Sequence, residues 1–108
     1  MAIIYDDFAK LDIRVGTILK AIPIENSEKL IKLLVDIGEE KRTIIAGIKK
    51  TYSPDDLLNK QIIVLVNLLP KNLMGEVSNG MLLAAQGEDG FPILLIPEKT
   101  ASLGSRIQ

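Results

Sequence analysis

The chain has 108 residues, 47% of them apolar and 25% charged, with a net charge of −1. That length and composition fit one globular domain with one modest core, and they exclude a disordered chain. There is no cysteine and no histidine, so disulfides and thiolate metal sites are excluded, and the commonest general base and metal ligand is missing. Two Tyr, two Phe and no Trp leave little material for aromatic stacking on bases. The N-terminus carries Asp6 and Asp7 where a secretory leader would be basic, and no apolar run is long enough to span a bilayer. A soluble cytoplasmic protein is expected. Lys41, Arg42, Lys49, Lys50, Lys60 and Lys71 face only Asp55 and Asp56 within their stretch, so a locally basic face on a near-neutral protein is an open reading beside a mixed solvated surface.

In chain order, Leu11 to Ala21 alternates, with Leu11, Ile13, Val15, Leu19 and Ala21 on one side and Asp12, Arg14 and Lys20 on the other. This predicts a half-buried strand, bent or bulged at Gly16. Pro23 ends it, and Asn26-Ser27-Glu28-Lys29 reads as a turn or as one helical turn capped by Asn26. Leu30 to Ile37 is a second strand, Gly38-Glu39-Glu40 a hairpin turn and Thr43 to Ile48 a third strand. Ser53-Pro54-Asp55-Asp56 starts a short helix. A hydroxyl caps it, proline stands where no N–H is needed, and two acids complement the dipole. Gln61 to Leu69 is a strand buried on both sides, and Pro70 stops it. Lys71 to Asn79 reads as a loop, Met81 to Gln86 as the fifth strand, Phe91 to Ile96 as a sixth, and Ala101 to Gln108 as a polar tail with one possible strand turn.

Three strands, a short helix and two closing strands is the order of the OB fold. The expected fold is all-β: a five-stranded Greek-key barrel with one short helix between strands three and four and a C-terminal β extension. A single domain spans residues 1–108, with the core at about 8–86 and the extension at about 87–108.

Nothing in the chain has the spacing of a catalytic or metal site. Asp55 and Asp56, as neighbours in a helical first turn, point apart and read as capping acids. Asp12 and Arg14 read as a surface ion pair or a structural pair at the barrel mouth. Glu39 to Arg42 reads as a solvated turn. Lys49-Lys50 and Lys71 lie at strand ends where they could hold phosphates as point charges. Ser78-Asn79-Gly80-Met81 combines positive-φ residues, hydrogen-bonding groups and an adaptable thioether. It is either a plain turn or a contact loop. From the residues alone the reading stops at an OB-like binding module.

Four segments carry a resemblance: Phe8-Ala9-Lys10-Leu11-Asp12-Ile13-Arg14-Val15-Gly16, Asn26-Ser27-Glu28-Lys29-Leu30, Ser53-Pro54, and Ser78-Asn79-Gly80-Met81-Leu82-Leu83-Ala84-Ala85. Their order and spacing resemble the tRNA-binding domain family. That family includes the C-terminal domain of bacterial methionyl-tRNA synthetase, free-standing β-subunit relatives and dimeric structure-specific tRNA-binding proteins. The resemblance implies a non-catalytic module that reads the outer corner of tRNA by shape and backbone, free-standing or as part of methionyl-tRNA synthetase, with the active site on another polypeptide. Its implied tRNA-binding set is Asn26, Lys29, Lys49, Lys71, Ser78, Gly80 and Met81, with Arg14 and Gly16 structural and no cofactor or metal. One departure is Ile24-Glu25, where many relatives carry His-Pro before the Asn turn. The resemblance also implies a homodimer, with Phe91, Ile93 and Leu95 at the seam. The alternative is an export-related chaperone that shares the fold and the opening Asp7-Phe8 to Arg14 and binds unfolded peptides in an apolar groove.

Overall fold

A computed structural model describes residues 1–108. Its organising strand is β1 (Ile13–Pro23), which is long enough to serve two neighbours. Its first half pairs with β4 (Gln61–Leu65), Ile13 opposite Leu65 through Thr17 opposite Gln61. Its second half pairs with β2 (Ile31–Asp36), which in turn pairs with β3 (Lys41–Ala46). β4 adds β7 (Met81–Leu82), so the order is β3-β2-β1-β4-β7, all antiparallel. The bend that lets one strand join both sides is a register shift between Ile18 and Lys20. The expected bend at Gly16 is therefore corrected by three residues. Gly16 serves close packing instead, since a Cβ there would sit 2.5 Å from Val35 Cγ1.

Alternation along these strands fills the barrel with aliphatic side chains. Ile18, Ile31, Leu33, Val35, Ile44, Ile62 and Val64 are buried in one cluster. Helix α2 (Pro54–Leu57) plugs it with Leu57, and the Ser53 side chain caps the helix by accepting from the Asp56 N–H at 3.3 Å. Strand β4 is buried on both faces, as its unbroken apolar run implies. Ile62 and Val64 point inward, while Ile63 and Leu65 join Ile13 and Val15 in a second small core outside the barrel.

That outer core is covered by two further elements, of which the sequence reading passed over the first. Helix α1 (Tyr5–Ala9) supplies Phe8, and the C-terminal tail supplies Ala101 and Ile107. The tail is no polar appendage. It pairs with the edge of β1 that β2 does not reach, through Val15 N–H to Ser105 O (2.9 Å), Gly104 N–H to Val15 O (3.0 Å) and Ile107 N–H to Ile13 O (2.8 Å). Arg14 stands in the same seam, 2.7 Å from the Asp12 carboxylate and also donating to the Gly104 carbonyl. The hydrogen bond from Arg14 holds the Asp12 carboxyl below its ordinary range.

Three further differences lie in the second half of the chain. Residues 71–79 are not an open loop but a hairpin of β5 (Lys71–Leu73) and β6 (Glu76–Ser78). Its two-residue turn, Met74-Gly75, has positive φ at both positions, as a type I′ turn requires. The expected fifth strand is divided: β7 belongs to the barrel, while β8 (Ala84–Gln86) pairs with β9 (Pro92–Leu94) in a separate hairpin. Strand β4 ends at Leu65, and Asn67 to Pro70 are exposed.

The barrel closes between β3 and the Ser78–Gly80 segment. Asn79 N–H donates to Thr43 O at 2.8 Å, and the next rung is made by a side chain, with the Ile45 N–H donating to Ser78 Oγ at 2.9 Å. The hydroxyl in turn donates to Gly80 O at 2.9 Å. Ser78→Ala leaves a buried N–H without a partner, and a loss of about 1–3 kcal/mol is expected in urea unfolding. Unchanged stability would contradict this role.

Candidate nucleic-acid interface

Two connections flank the outer face of β2 and β3, and they carry six of the seven proposed contact residues, with Lys49 fastened to the first of them. The first is the turn over residues 24–30. Asn26 takes positive φ at its apex, and the Ser27 hydroxyl accepts from the N–H groups of Lys29 (3.3 Å) and Leu30 (3.1 Å). No helix forms there, and the local cap is Ser27 rather than Asn26. Lys49 fastens this turn from the far end of β3: its N–H donates to Lys29 O at 3.0 Å and its ammonium to Ser27 O at 2.8 Å. Asn26, Lys29 and Lys49 are thus one unit. Asn26 and Lys29 are exposed, while the charge of Lys49 is engaged in holding the turn.

The second connection is the β5–β6 hairpin with the segment that follows it. Lys71 and Met81 are exposed. Together with Ser78 and Gly80 they line a groove of about 440 Å³ whose other walls are Ile45, Leu68, Leu69 and Leu73. Ser78 is only 5% exposed, and its hydroxyl is engaged inside the closing seam, accepting from the Ile45 N–H and donating to the Gly80 carbonyl. Gly80 has φ +134°, and a Cβ there would lie 2.9 Å from Leu65 O. The glycine lets the chain cross close to β4 and set Met81 at the surface.

Lys32 of β2 ties the hairpin to the sheet, its ammonium 3.1 Å from the Glu76 carboxylate. At the other end, Arg42 does work that its position in a charge run concealed. Its guanidinium donates to the carbonyls of Val66 and Asn79 and is paired with Glu40 at 2.6 Å. It ties β3, the end of β4 and the Ser78–Met81 loop together. Only a contact 24 and 37 residues away in sequence reveals it, and no local signal marks it. Lys50 is paired loosely with Glu28 at 3.9 Å.

The proposed seam residues lie apart from this face. In the β8–β9 hairpin, Leu94 is buried in the barrel core with its N–H donating to the Tyr52 hydroxyl at 3.1 Å. Phe91, Ile93 and Leu95 project outward as exposed apolar side chains, and Ile96 beside them is exposed too. No helix is long and apolar enough to cross a membrane. No group of three His, Cys, Asp or Glu side chains converges as a metal site.

A nearly closed five-stranded barrel with two loops framing one sheet face is the architecture of an OB-type binding module. Residues 13–106 match the family described as "Putative tRNA binding domain", and the chain belongs to that family. It is 50% identical over 102 residues to the methionine–tRNA ligase of Archaeoglobus fulgidus, covering 94% of this chain. It is likewise 48% identical over 109 residues to that of Pyrococcus abyssi. The chain spans only about 15% of the length of these relatives. Among solved structures, a MetRS-related protein from Pyrococcus horikoshii superposes with a TM-score of 0.94 at 40% identity, covering 100% of this chain and 99% of that one. The chaperone CsaA from Bacillus anthracis superposes with a TM-score of 0.91 at 33% identity, covering 100% of both chains.

Proposed function

We propose that the chain is a non-catalytic module that captures tRNA on the face between the 24–30 turn and the β5–β6 hairpin. The observation that carries this reading is the family match over residues 13–106, which includes the barrel and both loops. Lys29 and Lys71 supply exposed charge for phosphates, and Asn26 and Met81 supply contact at the surface. Lys49, Ser78 and Gly80 hold the two loops in place. Shape and backbone recognition agrees with a mixed rather than saturated basic surface: Glu28, Glu40 and Glu76 stand among the lysines and are paired.

In the cytoplasm such a module would serve methionyl-tRNA synthetase by raising the local concentration of tRNA at an active site on another polypeptide or domain. A homodimer through the β8–β9 hairpin would present two such faces. The exposed strip of Phe91, Ile93 and Leu95 supports that arrangement. Peptide binding is the second reading. It is favoured by the full-length likeness to CsaA and by the apolar groove beside Met81.

Lys71→Ala is expected to weaken all tRNAs about equally and to reduce the slope of log affinity against log salt by roughly 0.7–0.9. An unchanged slope would remove Lys71 from the phosphate contacts. For the seam, Ile93→Lys is a cleaner test than truncation, because cutting at Phe91 also removes Leu94 from the barrel core and the tail from the outer core. Sedimentation should find a dimeric parent and a monomeric Ile93→Lys protein. A variant that remains dimeric, or a parent that is already monomeric, would contradict the seam.

A further inference from the structure

We propose that the groove between β3 and the β5–β6 hairpin holds one unpaired nucleobase turned out of an RNA loop, with Lys71 and Lys41 on the phosphates to either side. The inference rests on the tRNA-binding reading above and assigns a ligand class to one part of that face.

The walls decide what the groove takes. Ile45, Leu68, Leu69, Leu73 and Met81 make it aliphatic, and Leu69 is held 90% exposed at its lip. Leu68 and Met81 beside it are exposed as well, and apolar side chains gathered in water around one concave surface mark a contact site. Its volume of about 440 Å³ lies at the low end of the roughly 300–1,000 Å³ typical of small-ligand pockets. That suits one planar ring system rather than the face of a helix. The chain has no Trp and only two Tyr and two Phe, and none of these lines the groove. The base would lie against aliphatic carbon and the Met81 thioether, which packs favourably on rings.

Charge selects a nucleotide over an apolar peptide. Lys71 lines the groove itself, and Lys41 lies in the polar cleft that shares Leu68 with it. The nearby acids are engaged elsewhere, Glu40 by Arg42 and Glu76 by Lys32. Neither Lys41 nor Lys71 is in an ion pair. An uncharged peptide would leave both ammonium groups idle, whereas a strand with its base in the groove passes a phosphate to each.

The floor predicts the kind of recognition. The lining has two polar side chains, Lys71 and Ser78, and the Ser78 hydroxyl is already used by Ile45 and Gly80. With the Lys71 ammonium given to a phosphate and the Ser78 hydroxyl buried in the seam, no side chain is arranged to read a base edge by paired hydrogen bonds. The groove therefore distinguishes an unpaired base from a paired one and does not distinguish among bases.

The test uses the full chain, its Leu69→Ser/Met81→Ser double variant, a tRNA transcript, a fully paired RNA duplex of similar length, and an apolar peptide. Both residues are at the surface, and circular dichroism checks the fold. A second tRNA carries 2-aminopurine at unpaired positions of its outer corner. The double variant should bind tRNA about tenfold more weakly with the same salt slope, and bind the duplex as the parent does. The parent should change 2-aminopurine fluorescence, and the variant should not. If the parent binds tRNA and the variant matches it, or loses tRNA and duplex alike, or loses only the peptide, the base site is overturned while tRNA binding stands. A parent that binds no tRNA overturns the broader reading itself.

Discussion

The barrel closes through a side chain, and the candidate interface depends on that closure. Where β3 meets the last strand, a backbone carbonyl would ordinarily accept from the Ile45 N–H, and the Ser78 hydroxyl takes that place. A hydroxyl both accepts and donates, so the same atom also ties Gly80. The chain can therefore turn sharply between β6 and β7 while the seam stays satisfied. Glycine at position 80 is required by the same turn, because Leu65 O lies where a side chain would begin. Arg42 adds a third fastening by bonding the carbonyls of Val66 and Asn79.

Rigidity at this seam places the exposed residues. Met81 and Lys71 stand on either side of Ser78, one following the closure and the other paired with Ser78 across the hairpin. The 24–30 turn is fixed by an analogous device, with Lys49 spending its ammonium on the Ser27 carbonyl so that Lys29 and Asn26 remain outside. In both loops a polar residue that seems available in sequence is committed to backbone, and its neighbours are left free. Contacts supported in this way are pre-organised, so little ordering accompanies binding.

Periodicity made most of the barrel legible. Strands β1 to β4 and the Ser53-Pro54 helix start lie within a few residues of where alternation, turn residues and capping chemistry put them. The double burial of β4 was also legible, since only a strand covered on both sides carries Ile62 to Leu65 without a break. Elements stabilised by distant partners were not. Helix α1 has no side-chain cap and only five residues, and it is held by Phe8 against the outer core. The tail reads as polar because Ser102, Ser105, Arg106 and Gln108 interrupt its few apolar residues, yet its backbone completes an edge of β1. In the site, the motif segments were visible but their division of labour was not. A buried serine and an exposed one look alike in sequence, and the partners that fix Ser78 and Arg42 in the seam, Ile45 for the one and Val66 and Asn79 for the other, lie 24 or more residues away.

The central claim is that tRNA lies on the face framed by the 24–30 turn and the 68–81 segment. Amide hydrogen exchange with and without saturating tRNA tests it most directly, since it reads every segment of the same sample. The account predicts added protection over residues 24–30 and 68–81, with α1, the C-terminal tail and the β8–β9 hairpin unchanged. Protection confined to those latter elements, with the two framing loops exchanging as in the free protein, would contradict it.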